Sequence, residues 1–482
     1  MLFNSLNFAL FLPVVFLLYW LVTHKSLKLQ NALLFAASYF FYACWDWRFL
    51  FLLFFSTFLD FFTGLKIQNA STQSVKRKWF WLSIIVNLGF LGVFKYFNFF
   101  ADSFAQLLTL GGLKVNLWSL NVILPVGISF YTFHGLSYVI DIYYSRINSE
   151  KNFIDYAVFV GFFPLLVAGP IERATHLLPQ IKKPRTFDYP NAVDGARQIL
   201  WGLFKKIVIA DNCAVAVNQI FENSGGIYGS ELMLGALFFS FQIYGDFSGY
   251  SDIALGVARL FGIELLRNFS LPYFSRDIAE FWRKWHISLS SWFRDYLYIP
   301  LGGSKGTTGQ KIKNTFVIFL VSGFWHGANW TFIFWGLLHA LYYIPLLIKG
   351  KNRVNTSEIA ADKLLPNFKE LMGMLSTFAL VTFAWIFFRA DNLGAAFMYI
   401  KNMLKHPGTF LSIYFYSKYA LIITFILLMI GIEWLGRNAH HPLYLIDRLK
   451  LRPLRFFTYL ILMGWIFLYC KGEQQQFIYF QF

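Results

Sequence analysis

His326 sits where an imidazole is costly to put, inside the apolar run FLVSGFWHGANWTFIFWGLLHA (319–340). Ionisable side chains buried in such runs mark functional sites by default. Read as one helix, Ser322 and Trp330 fall four residues either side of His326 on the same face. Gly323, Gly327 and Thr331 then form a small-residue stripe that admits a second helix at close range. An imidazole with no nucleophile of its own suits a general base acting on a substrate hydroxyl. It titrates near neutrality, and a positioned base is worth roughly 10²–10⁴ in rate. The competing role is a packed histidine satisfied by a backbone carbonyl. A base needs a second polar group to hold its tautomer or to bind substrate, and His286 is the candidate, although nothing in the spacing joins the two.

Other chemistries fare worse. His339 lies thirteen residues beyond His326, about 220° around a continuous helix, and so faces elsewhere. No His-x-x-x-His or His-Glu-x-x-His spacing occurs, and His440 and His441 flank Pro442 in a loop and read as solvated. No metal site is expected. There is no Gly-x-Ser-x-Gly elbow. Asp246 and Asp252 are six apart and do not pair on one helix face, whereas Asp252 and Arg259, seven apart, suit a structural polar pair.

The elements that must carry these residues are membrane helices. Hydrophobic residues make up 57% of the 482, aromatics 21% and charged residues only 14%, against roughly 25% charged in an ordinary soluble domain. A span needs ~20 apolar residues. Runs of that kind occur near 5–23, 29–45, 48–66, 79–100, 121–140 and 153–169, and near 198–220, 232–262, 315–347, 371–388, 415–435 and 456–470. The expectation is an all-α polytopic integral membrane protein with about 11 transmembrane helices, plus re-entrant or interfacial pieces where Gly, Pro or a lone charge breaks a run. One membrane domain covers 1–482, with no separate soluble domain. Within it 272–303 interleaves charges with Trp282, Trp285 and Trp292, the pattern of an interfacial helix segment.

The net charge of +17 does not call for nucleic acid, because cytoplasmic loops collect Lys and Arg. Basic clusters lie at Lys25 and Lys28, Lys76 to Lys78, Lys182 to Arg185 and Arg448 to Arg455, whereas 101–120 is charge-poor. The basic loops are therefore expected inside and the N-terminus outside. Cys44, Cys213 and Cys470 are too scattered for a disulfide framework or a zinc site. The N-terminus lacks the marks of a cleaved signal peptide, and no repeat of a few spans is evident.

Five stretches carry a resemblance: ILPVGISFYTFHGLSYVIDIYY (123–144), FFPLLVAGPIERATHLLPQI (162–181), IYGDFSGYSDIALGVARLFGI (243–263), FWRKWHISLSSWFRDYLYIPLGG (281–303) and SGFWHGANWTFIFWGLLHA (322–340). With the MLFNS start and the FIYFQF end (477–482), they resemble the membrane-bound O-acyltransferase (MBOAT) family in its alginate O-acetyltransferase-like branch. The resemblance implies the MBOAT fold, a ring of tilted helices around a thinned centre. It implies His326 as the catalytic histidine and His286 as the second motif histidine. It further implies a cytoplasmic thioester donor, acetyl-CoA or another acyl thioester, with no tightly bound cofactor. The acyl group would pass to an exported polysaccharide at the bacterial inner membrane, with a periplasmic SGNH-type protein as partner. Lys182, Lys183, Arg185, Lys205 and Lys206 are candidate attractors for a polyanionic donor, or else orientation-setting loop charges. D-alanyl transfer toward teichoic acid, a glycolipid transporter or flippase, and an export scaffold are the alternatives.

Overall fold

The computed structural model describes residues 1–113, 123–167, 169–361, 363–405, 408, 413–448, 450–470 and 477–478. Part of the charge-poor stretch 101–120, the start of the run 121–140 and most of the FIYFQF end lie outside the described residues. Every regular element among the described residues is helical. Two compact units divide the chain, Met1–Ala192 with Val257–Leu266, and Val193–Gly256 with Arg267–Phe482.

The first unit holds α1 (Leu6–Leu17), α2 (Leu27–Ala43), α3 (Leu50–Gln68), α4 (Gln73–Leu91), α5 (Phe97–Leu110), α6 (Ile128–Tyr143), α7 (Phe153–Gly161), α8 (Phe163–Leu166) and α9 (Ala174–Ile181). Hydroxyl side chains start several of them: Ser5, Ser26 and Thr72 each accept a backbone N–H of the first turn. The expected run 153–169 is cut at Phe162, because Pro164 opens a separate short helix. Inside α3 the carboxylate of Asp60 accepts from Ser83 Oγ at 2.7 Å and Asn87 Nδ2 at 2.8 Å, both on α4. A lone Asp in an apolar run is the sequence signal for this buried cluster.

The second unit holds α10 (Tyr189–Leu203) from Val193 on, α11 (Asp211–Glu222), α12 (Gly229–Leu260) as far as Gly256, α13 (Ile278–Lys284) and α14 (Ile287–Phe293). It continues through α15 (Thr308–His326), α16 (Trp330–Ile348), α17 (Phe368–Arg389), α18 (Leu393–Lys405), α19 (Ile413–Leu435) and α20 (Arg452–Tyr469). Between α10 and α11 the chain passes through a π-helical segment, Phe204–Ala210, that carries Lys205 and Lys206.

Five helical stretches among the described residues are long and apolar enough to cross a membrane: Trp47–Gln68, Gln73–Leu110, Trp330–Ile348, Phe368–Arg389 and Ser417–Leu435. Leu6–Val22 and Phe153–Leu166 are shorter and apolar. The architecture is that of an all-α, multi-pass membrane protein.

Candidate active site

A capping box starts α15: the Thr307 hydroxyl accepts the Gln310 N–H, and the Gln310 side chain accepts the Thr307 N–H. The helix then runs without interruption to His326 and stops. Gly327 is extended, and the Asn329 side chain caps α16 by accepting the Thr331 N–H at 3.0 Å. The Asn329 amide also donates to the Asp391 carbonyl at 2.8 Å.

The run 315–347 is therefore two helices in a hairpin, not one. The structure keeps Ser322 one turn before His326 on α15 but corrects the expectation that Trp330 shares that face: Trp330 begins the next helix and is half exposed. The stripe of small residues serves the hairpin itself. A Cβ on Gly323 would overlap the Phe332 carbonyl, and one on Gly336 the Phe319 carbonyl. Asn329 is the polar capping residue that a boundary reading would have used.

The hairpin also reverses the placement of His339. Once α16 folds back, His339 turns toward the same aromatic cluster as His326, with Trp335 between them at ring-centroid distances of 5.1 Å and 4.8 Å. His339 is fully buried, and its Nδ1 accepts from Trp282 Nε1 at 3.2 Å.

His326 is buried at the end of α15, with the rings of Trp325 at 4.9 Å and Phe388 at 5.3 Å around it. His286 approaches from α14, where it precedes the first turn in a left-handed conformation, φ 43°. Such a backbone costs about 1–3 kcal/mol for a non-glycine residue and persists only where its surroundings fix it. They do so here: Trp285 N–H donates to the Phe281 carbonyl at 2.8 Å and Ile287 N–H to the Asn268 carbonyl at 2.8 Å. The His286 ring packs edge-on against Phe247 at 4.6 Å and faces Trp325 at 5.9 Å. Neither of its nitrogens finds a hydrogen-bond partner among the described residues. The structure thus gathers His286, His326 and His339 around tryptophans. His286 does not hold the His326 tautomer by a direct hydrogen bond; the Trp325 ring stands beside both.

A cavity of about 500 Å³ opens on one side of this cluster. Trp282 and Phe319, which pack on His339, form part of its wall, as does Ser322, one turn before His326. Arg283, Arg294 and Arg353 line it too. Its lining is mostly apolar with a few hydroxyls and cations, the make-up of a ligand pocket.

The segment 272–303 is two short helices whose charges grip the neighbouring loop. Arg276 pairs with Glu280 at 3.0 Å and Glu370 at 3.3 Å, and Lys284 pairs with Glu280 at 3.1 Å. Asn355 donates to Asp277 at 2.6 Å. Trp285 and Trp292 point inward and are buried. Burial alone would push the Glu280 carboxyl up, but the hydrogen bonds from Arg276 and the Lys284 charge outweigh it and hold it below the usual range.

Most of the remaining polar candidates are occupied. Lys205 pairs with Asp252 at 2.6 Å and donates to Ser248 at 2.8 Å. Lys206 pairs with Asp211 at 2.7 Å and Asp246 at 2.8 Å. Both lysines are buried, which suits counter-ions of the α12 carboxylates better than attractors of a soluble anion. Asp252 finds Lys205 and Gln198 rather than the Arg259 expected from spacing, because α10 and the π segment lie alongside α12. In the first unit Lys182 pairs with Glu150 at 2.8 Å. His441 is not solvated: it is buried with Nε2 2.8 Å from Asp194 Oδ1.

Residues 143–349 match a family model described as MBOAT, membrane-bound O-acyltransferase family. The matched range carries His286, His326 and His339. The protein named "Probable alginate O-acetylase AlgI" of Pseudomonas aeruginosa is 41% identical over 84% of this chain and 75% of its own length. The peptidoglycan O-acetyltransferase of Helicobacter pylori is 37% identical over 85% and 80%. The teichoic acid D-alanyltransferase of Streptococcus thermophilus is 28% identical over 55% and 68%.

Proposed function

Since the chain belongs to the membrane-bound O-acyltransferase family, and is an O-acyltransferase of the membrane, we propose that it O-acetylates an envelope polysaccharide with His326 as general base. The single observation that carries the assignment is the aromatic cluster, which packs around His326 next to a cavity and brings in His286, whose ring nitrogens are both unclaimed among the described residues. The relatives named for alginate and for peptidoglycan O-acetylation support acetyl as the group and a glycan as the destination.

In this mechanism His326 takes the proton from an acceptor hydroxyl as its oxygen attacks the thioester carbonyl carbon. The new C–O bond forms, the C–S bond breaks, and the departing thiolate receives a proton. His286 binds the acceptor or steadies the developing oxyanion. The donor is acetyl-CoA or another acyl thioester, whose narrow arm suits the cavity beside Ser322 and Trp282. The acceptor hydroxyl belongs to the glycan or to a periplasmic SGNH-type partner that relays the acetyl group, and the enzyme works in the bacterial inner membrane. Family membership sets aside the transporter and scaffold readings. D-alanyl transfer ranks second, because the relative of that name matches a smaller part of this chain at lower identity.

The test is envelope-glycan O-acetyl content in cells carrying wild type, His326→Ala or His286→Ala, with membrane abundance of each protein measured. Loss of O-acetyl esters at normal abundance of His326→Ala is expected. Unchanged acetylation at normal abundance would reduce His326 to a packing residue.

A further inference from the structure

Away from the histidine cluster, the first unit contains a second, polar cavity of about 300 Å³. Its walls come from the π-helical turn after α1 at Trp20, the loop before α10 with the first turn of that helix (183–191), and the end of α12 with the turn after it (259–264). Arg185 stands in this wall. Its side chain is more than nine-tenths buried, stacked over the Tyr19 ring at 5.7 Å. Its Nη2 donates to the Asn31 side chain, whose own amide is spent on Asp155 at 2.8 Å and the Ile181 carbonyl at 3.0 Å. Nε and Nη1 have no hydrogen-bond partner among the described residues. Asn31 thus stands as the link between Arg185 and the Asp155 carboxylate.

A buried guanidinium with two unclaimed donors is unstable unless something satisfies it. The cavity it lines also receives Lys183 and Arg259, against Asp188 and Glu264. That leaves one net positive charge with every group ionised. Asp188 accepts from the Asn191 backbone at 3.2 Å and side chain at 2.9 Å in the same wall. Trp20, whose Nε1 donates to the Leu260 carbonyl at 2.9 Å, and the exposed Phe187 stand at the rim. Amphipathic rings of this kind gather at the level of lipid headgroups.

We propose that Arg185 is the floor of a binding site for a phosphate group, supplied by the headgroup of an anionic phospholipid or by a soluble phosphate. Arginine is the side chain best matched to phosphate oxygens, and a desolvated one binds them more tightly than a surface lysine. Lys183, exposed at the mouth, adds attraction. This assignment does not depend on the acyltransferase mechanism, and its test needs no turnover.

The full chain is purified and reconstituted in nanodiscs of phosphatidylcholine alone or with phosphatidylglycerol, and retained lipid is counted by native mass spectrometry. In parallel, inorganic phosphate is titrated against thermal unfolding in detergent. Saturable retention of phosphatidylglycerol with no response to phosphate identifies a lipid headgroup. Saturable stabilisation by phosphate identifies a soluble ligand, and either result supports the site provided Arg185→Gln weakens it by more than about tenfold. Lys183→Gln, at an exposed position, is expected to weaken the same binding roughly fivefold and decides the matter if Arg185→Gln fails to accumulate. No response to either ligand, or equal binding by wild type and both variants, would overturn the proposal.

Discussion

Lys205 and Lys206 are neighbours in sequence, yet the π-helical segment sends each to its own carboxylates, Lys205 to Asp252 and Lys206 to Asp211 and Asp246. Removing one side of a buried pair strands the other, at a cost of about 3–5 kcal/mol. Lys206→Met is therefore expected to lower the melting temperature in detergent sharply, whereas Lys206→Met combined with Asp246→Asn recovers part of the loss. A single variant as stable as wild type would show that these charges are not coupled. Glu280 poses the converse question of pH. Its folded pKa lies below the ordinary value of about 4.3 because the hydrogen bonds from Arg276 and the Lys284 charge more than offset burial. The stability it contributes is then complete above the unfolded pKa and falls away as acid protonates it through the lower folded value. Melting curves recorded from neutrality down to about pH 3 should hold level until about pH 4.3 and drop steeply below it for wild type. Glu280→Gln should start lower at neutral pH and decline less. A parallel decline would place the acid sensitivity elsewhere. Part of this scale is legible in sequence: His326 and His286 stand out by cost and by motif. The partners of the charges are not, because Asp252 could be matched to Arg259 by spacing on one helix, while the real partner arrives from a different segment.

At the scale of the element, the hairpin of α15 and α16 decides which histidines meet. Gly323 and Gly336 let the two backbones touch, so a side chain at either must push a carbonyl away. Gly323→Val should lower the melting temperature and abolish acyl transfer together, since α15 carries His326 at its last position. The informative control is Val321→Ala, an exposed position on the same helix, expected to change both within error. Transfer activity retained by Gly323→Val at wild-type stability would mean the helices can separate without harming the site. Hydropathy could not reveal this hairpin, because a three-residue turn of Gly327, Ala328 and Asn329 barely interrupts an apolar run. Periodicity carried across it assigned His339 to the wrong face. The Asn329 cap is the local signal that separates the two helices, and it competes with the apolar residues on either side. The same limit applies to 272–303, where the aromatic and charged pattern foretold a segment apart from the spans but not that Arg276 and Lys284 would bind 349–370 through Glu370 and Glu358.

Across the whole chain, composition announced a membrane protein more plainly than any motif, since a 14% charged content leaves too little polar surface to cover so many Phe and Leu side chains. Orientation rests on a different physical term, the bias of Lys and Arg toward the cytoplasmic loops. Lys25 and Lys28 flank the start of α2, so the far end of that helix, where Cys44 stands exposed beside Trp45 and Asp46, is expected on the outer face. Cys213 is buried within α11 and should be refractory in the folded protein whatever the topology. In a Cys470→Ser background, a membrane-impermeant maleimide added to intact spheroplasts should label one thiol, Cys44, with Cys213 reacting only after denaturation. Labelling of Cys44 only after the membrane is opened would invert the chain. It would then carry the basic loops outside, against the charge rule, and require the donor to be delivered from the opposite face.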